Sequence, residues 1–187
     1  FSFDVGGLEN GIVNLLNHMP AEDFRHMVVA LTTCAPGFTR RVKRSDVEFV
    51  SLHKPAGHGF KLFPVMFRMF RDLRPAIVHT RNLAALEMLV PAWLAGVPVR
   101  IHGEHGWDHN DREGSNRKYQ LVRRLYSVVV SRYVALSRKI ESYLHENDSR
   151  RSLVVDSHGG LYGIVTLQDL YKRTDLLDTG IVADICT

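Results

Sequence analysis

Only two cysteines occur among the 187 residues, Cys34 and Cys186, and they share neither zinc-site nor redox spacing. So few thiols exclude a disulfide-stapled secreted domain and lead to the expectation of a reducing, cytoplasmic setting. Long apolar runs are scarce too. The longest, residues 83–99, contains Glu87 and is broken by Pro91 and Pro98, which rules it out as a membrane span. There is no signal-peptide pattern, internal repeat or low-complexity tract. Also missing are the G-x-x-x-x-G-K-[ST] phosphate loop, a complete G-x-G-x-x-G and any Ser/His/Asp or catalytic cysteine arrangement, so those three chemistries lack their residues. Neither stacking aromatics nor a recognition helix stands out, and nucleic acid is not an expected partner.

What is present suits a globular chain: 45% of the residues are hydrophobic and 24% charged, enough to build a core. The net charge is +4, and the basic residues come in pairs: Arg40-Arg41, Lys43-Arg44, Arg117-Lys118, Arg123-Arg124, Arg138-Lys139 and Arg150-Arg151. Such a surface favours anionic partners, among them nucleotides, sugar phosphates and lipid headgroups. Peripheral contact with an anionic membrane, at its inner face, is therefore an expectation beside a plainly solvated surface. The sequence opens on Phe1, almost in a loop, which suggests an N-terminus that has lost most of a first strand.

Period and composition alternate along residues 1–146. The apolar residues Leu8, Ile12, Val13, Leu15, Leu16 and Met19 follow a helical period closed by Pro20. Short β-rich runs fall at 26–32, 47–52, 76–80, 97–106 and 132–137. Helical patterns fall at 60–75, with Phe63, Phe67, Phe70 and Leu73 inward, at 82–96 with Gly96 as stop, at 115–130 with Ser115 as N-cap, and after Ser137. Pro64 is tolerable only in a first helical turn. The alternation predicts a doubly wound parallel α/β sheet with right-handed crossovers, and ligands at the carboxyl ends of its strands. Beyond about residue 147 the texture changes to two short strands, 152–156 and 161–166, around a Gly159-Gly160 turn, with a helix from Leu167. A division near 146–151 follows, giving segments 1–146 and 147–187.

Three loops then carry the chemistry. Gly6-Gly7 leaves the first amides of a helix open to a phosphate or a sugar hydroxyl, although a tight strand-to-helix turn needs the same residues. Glu9, in the first turn, suits the helix dipole. "HTRN", 79–82, sets His79 and Arg81 at a strand end, where Arg81 is able to pair with an anion and His79 to close the strand. The richest stretch, "HGEHGWDHNDREGSN", gathers His102, Glu104, His105, Asp108, His109 and Asp111. Its H-x-E-H spacing is not H-E-x-x-H on a helix, its glycines make it a loop and no thiol joins it, so no metal is expected. A polar substrate-binding loop at a sheet edge is the favoured reading, and a solvated loop the alternative.

"FDVGGLENGIVNLLNHMP", "IVHTRNLAALE", "VPVRIHGEHGWD" and "RYVALSRKIESYL", in that order, resemble the N-terminal domain of a family 4 glycosyltransferase of the GT-B fold, near the sugar transferases of exopolysaccharide and exosortase loci. The resemblance covers about residues 1–145. It implies a Rossmann-like sheet and transfer of a sugar from a nucleotide-sugar donor to a glycan or lipid-linked acceptor, with retention and without an essential metal or other cofactor. It further implies that the glycine turn Gly6-Gly7 and the His102–Gly106 loop, with Glu104 and Gly106, line the substrate cleft, and that His102 or His105 contacts the sugar in transfer; Arg81 and Asn82, from their place at a strand end, are expected to bind substrate beside them. The family holds its donor on a second domain with an E-x7-E pair. No such pair follows residue 146, so the chain alone is expected to be incomplete and inactive.

The remaining stretch, "RRSLVVDSHGGLYGIVTLQDLYKR", resembles the latter half of a CBS motif, with Gly163, Thr166 and Asp169 at G-x-x-T-x-x-D spacing, and "IVADICT" resembles the start of another. That implies adenine-nucleotide contacts from Thr166 and Asp169, against a hairpin and helix that merely uses Thr166 as a cap. Two function classes result: the acceptor-side part of a glycosyltransferase, or a nucleotide-sensing CBS-type regulatory module. A non-catalytic fusion fragment is the third possibility.

Overall fold

The computed structural model describes residues 2–105, 111, 115–135, 137–147, 152–154 and 180–186. In chain order the elements are α1 (Gly7–His18), β1 (Phe24–Ala30), α2 (Pro36–Thr39), β2 (Glu48–Ser51), α3 (Phe63–Leu73), β3 (Ile77–Arg81), α4 (Leu83–Leu86) and α5 (Leu89–Leu94). They continue with β4 (Val99–Glu104), α6 (Arg117–Tyr126), β5 (Arg132–Ala135), α7 (Arg138–Asn147), β6 (Ser152–Val154) and β7 (Gly180–Cys186). Short 3₁₀ turns, Gly59–Leu62 and Ser127–Val129, lead into α3 and out of α6.

The seven strands form one sheet in the order β2-β1-β7-β3-β4-β5-β6, and every pair is parallel. This is the doubly wound α/β architecture that the alternation predicts. Helices cover both faces: Met27, Val29 and Leu31 join the core that includes Met66 and Phe70 of α3 and Leu89 of α5, while Val28 and Ala30 pack against Ile12, Val13 and Leu16 of α1. A strand buried on both faces must be largely apolar, which is why β1 reads as a hydrophobic run from Met27 to Ala30 after Arg25 and His26.

The centre of the sheet belongs to β7. It pairs with β1 from Phe24↔Gly180 to Ala30↔Cys186 and with β3 from Ile77↔Val182 to Thr80↔Ile185. In the doubly wound order 3-2-1-4-5-6 that slot is the first strand's. Among the described residues, the N-terminal stretch before α1 adds only the parallel bridge Phe3↔Cys34. Phe3 is fully buried there, edge-on to Phe38 at 5.0 Å between ring centroids. β6 pairs in parallel with β5. The 161–166 strand, the Gly159-Gly160 turn and the helix from Leu167 lie outside the described residues.

Local chemistry corrects three expectations. The helix expected over 82–96 is two, α4 and α5, separated at Glu87-Met88. Pro91 is the cause: it offers no amide proton and its ring crowds the carbonyl four residues back, that of Glu87. Glu87 turns the break to use, because its carboxylate accepts from the Gly59 amide at 2.9 Å. In α3 the inward residues are Met66 and Phe70, with Phe63 and Leu73 partly buried against the same core. Phe67 instead lies under the Arg71 guanidinium, 5.9 Å from the ring centroid. Pro64 does sit in the first turn. At α6 the N-cap is Asn116, not Ser115, because the Asn116 side chain reaches the Lys118 amide at 3.0 Å. Ser137 caps α7 as expected, its hydroxyl accepting from the Ile140 amide at 3.3 Å.

Candidate functional site

Parallel pairing puts the carboxyl ends of all strands on one side of the sheet. Phe3 pairs with Cys34, just past the carboxyl end of β1, so the Gly6-Gly7 turn opens on that side. The carboxyl ends of β3 and β4 lie there too, with Thr80 opposite His102 and Arg81 opposite Gly103. The glycine turn and the histidine-bearing segment thus share one rim, near the switch point where the order of strand connection reverses and where open α/β sheets bind ligands.

The ends of β3 and β4 are polar yet buried. His79, Thr80, Arg81, His102 and Glu104 each expose 3% of their surface or less. Burial of such groups requires partners, and two linked clusters supply them. In the first, Arg81 Nη2 lies 3.3 Å from His79 Nδ1 and Arg81 Nη1 lies 3.3 Å from His105 Nε2. Burial, then the Arg81 charge, holds the His79 imidazole well below its ordinary pKa. The same causes bring His105 down to about 3. Both rings are therefore neutral at pH 7, and Arg81 is the charged member.

The second cluster centres on Glu104. Arg123, from α6, donates from Nε to Glu104 Oε1 at 2.7 Å, with Nη2 3.5 Å from Oε2, and from Nη1 to the Tyr143 hydroxyl at 3.4 Å. The Arg123 guanidinium also stands 5.4 Å over the Tyr143 ring. Burial alone would raise the Glu104 pKa, but His102 and Arg123 outweigh it and hold the carboxyl at about 2. His102 Nε2 is 3.5 Å from Glu104 Oε1, too long for a strong hydrogen bond, so Arg123 is the firm partner. His102 Nδ1 lies 2.8 Å from Thr80 Oγ1, and its ring is edge-on to Tyr133. The Thr80 hydroxyl also donates to Ile101 O at 3.3 Å, across to β4.

Asn82 ties the two strand ends together. Its amide donates to Gly103 O at 2.8 Å, and its side-chain oxygen accepts from the His105 amide at 3.2 Å. It does so at φ 59, in the left-handed region where asparagine is among the few residues tolerated. Gly103 is required by close approach: a Cβ there would stand 2.7 Å from His105 Nε2 and 3.2 Å from His79 Nε2. At the glycine turn, Glu9 occupies the third position of α1 and folds its carboxylate over Gly6, while Gly7 is exposed with open space beside it.

Of the residues singled out from the sequence, Arg81, Asn82, Glu104 and His105 come together at this rim with His102 behind them. His102 is fully buried, whereas His105 and Asn82 keep partial exposure. Gly106, Thr166 and Asp169 lie outside the described residues. Thr80, Arg123 and Tyr143 were not singled out. No sequence signal marked Arg123 as inward: its neighbours at helical spacing are Tyr119, Gln120, Tyr126 and Ser127, and the apolar stripe of α6 lies on the other side. Among the described residues, no group of three or more His, Cys, Asp or Glu is placed to hold a metal ion, and no helix is long and apolar enough to cross a membrane.

No match occurs among curated proteins or among solved structures. The model of Glycosyltransferase Family 4 matches residues 5–155, four fifths of the chain and all of the elements that build this rim. The chain belongs to glycosyltransferase family 4.

Proposed function

We propose that this chain supplies the acceptor side of a cleft in which a sugar passes from a nucleotide-sugar donor to a glycan or lipid-linked acceptor, with retention and without a metal. The observation that carries the reading is the Arg81–His79–His105 cluster, a buried cation between two neutral imidazoles at the carboxyl rim. Arg81 offers positive charge to an anionic ligand, and its neutral neighbours do not repel a second cation. His105, neutral and partly exposed, is suited to hydrogen-bond a sugar hydroxyl. His102, Glu104 and Arg123 hold the His105-bearing loop from behind, so their role is positioning. The amides after Gly6 face any phosphate that reaches the start of α1.

Stabilising the departing diphosphate is the largest electrostatic demand of such a transfer. One arginine does not meet it, so further cationic groups must come from a donor-holding half. The exopolysaccharide type of acceptor belongs to this proposal, as does peripheral contact with anionic lipid. The test is a titration with a panel of nucleotide sugars, and with AMP and ATP, followed through imidazole and amide resonances. Responses at His105, Asn82 and Gly7 support the transferase reading. Responses confined to Thr166 and Asp169 would turn it toward a nucleotide sensor.

A further inference from the structure

Helix α6 has a second face that the sugar reading does not use. Leu121, Leu125 and Val128 follow one another at i, i+4 and i+7 and are 57%, 62% and 81% exposed. At helical spacing they form a single stripe. Arg117 and Arg124 flank it on one side and Lys118 on the other, all three exposed. Residues 114–140 carry seven Lys or Arg and no Asp or Glu, more positive charge than the whole chain's +4. Of these, Arg123 is turned inward onto Glu104, and Arg117, Lys118 and Arg124 are the three that border the stripe. Trp93 and Leu94, 52% and 59% exposed, end α5, which packs against the 3₁₀ turn that holds Val128.

We propose that this face docks on an anionic lipid surface, lying in the plane of the interface with Leu121, Leu125 and Val128 in the headgroup–acyl boundary. An aliphatic stripe between two basic rows is the pattern of an interfacial helix. Acidic protein or nucleic acid would satisfy the charges but leave the leucines wet, and the stripe carries no aromatic ring on which a base would stack. Trp93 suits the headgroup level beside it. Because the inner side of α6 supplies Arg123 to Glu104, docking would also fix the direction in which the rim faces the membrane. This deepens the lipid contact named above. Its test uses no sugar, so it can fail while the transferase reading stands, and the reverse.

The experiment is cosedimentation of the full chain with vesicles of phosphatidylcholine alone and of phosphatidylcholine mixed with phosphatidylglycerol. The chain should sediment with the mixed vesicles only, and less as salt rises. Arg117→Gln with Lys118→Gln and Arg124→Gln should lower partitioning by on the order of a hundredfold, about fivefold for each charge. Leu121→Gln with Leu125→Gln should lower it at least about tenfold. Both variants alter exposed residues and should melt like the parent. If the leucine pair melts early, Val128→Gln on the most exposed position repeats the test. Equal binding to neutral vesicles, no binding to either, or full binding by the leucine variant overturns the proposal. So does a dimer that depends on Leu121 and Leu125 without vesicle binding, which would make the stripe a contact between copies.

Discussion

Two regions of this molecule invert the common rule in opposite ways. At the rim of β3 and β4, polar groups that would ordinarily face water are buried: His79, Arg81, His102 and Glu104. On the outer side of α6, aliphatic groups that would ordinarily be buried face water: Leu121, Leu125 and Val128. The inside-out cluster is held by partners within the fold. The outside-in stripe has a basic border and no cover of its own among the described residues. Neither arrangement adds to stability as an apolar core or a plain polar surface would, and α6 joins them, since its inward Arg123 braces Glu104 while its outward leucines stay exposed.

The largest way to break this comparison is to remove the brace. Arg123→Met leaves Glu104 buried without its firm partner, which should cost about 3–5 kcal/mol. A thermal melt should show it as a fall of roughly 10 °C. Replacing the exposed neighbour, Arg124→Met, should leave the melt almost unchanged. Equal effects at the two positions would mean that the buried pair holds nothing in particular.

Acid unfolding separates the members of the rim. Glu104 titrates near 2 in the folded chain and at 4.5 ordinarily, so its contribution is complete above pH 4.5 and is lost as pH falls toward 2. That difference corresponds to about 3 kcal/mol. The histidines act sooner. His105 falls from 6.5 to about 3 on folding, so the unfolded chain binds its proton first and stability declines below pH 6.5. Urea midpoints should therefore drop in two overlapping stages, and Glu104→Gln should remove the lower one while keeping the upper. A single stage unchanged by that variant would contradict the assignment.

Gly103→Ala comes next. Its methyl would press on His105 and on the fully buried His79, which has no room to retreat, and should cost about 1–3 kcal/mol. The smallest effect is expected at Gly7→Val. Open space beside Gly7 predicts a change in the melt within about 0.5 kcal/mol, together with weaker binding of a nucleotide sugar. A variant that unfolds would show the glycine to be structural.

Much of the architecture was legible because short β-rich runs alternate with helices of 3.6-residue period. Only local chemistry moved the boundaries. Pro91 split one helix in two, and because α6 begins at Arg117 the cap falls on Asn116 where Ser115 was expected. The place of β7 was not legible, since nothing in "GIVADIC" states which neighbours it pairs with, and that pairing spans most of the chain. His79, Arg81, His102 and Glu104 were visible as polar residues at strand ends. Their grouping into two clusters was not, because it depends on the one-to-one register of β3 on β4. Arg123 was read as one of several basic pairs on a surface, and burial separates it from Arg124.

The account rests most heavily on the rim being one half of a sugar-transfer cleft, and histidine ring resonances during a nucleotide-sugar titration test that most directly. His105 and the Asn82 amide should shift at saturable concentrations, with the response lost in Arg81→Gln while that variant stays folded. Resonances at the rim that stay fixed across the whole panel, or that respond equally in Arg81→Gln, would contradict it.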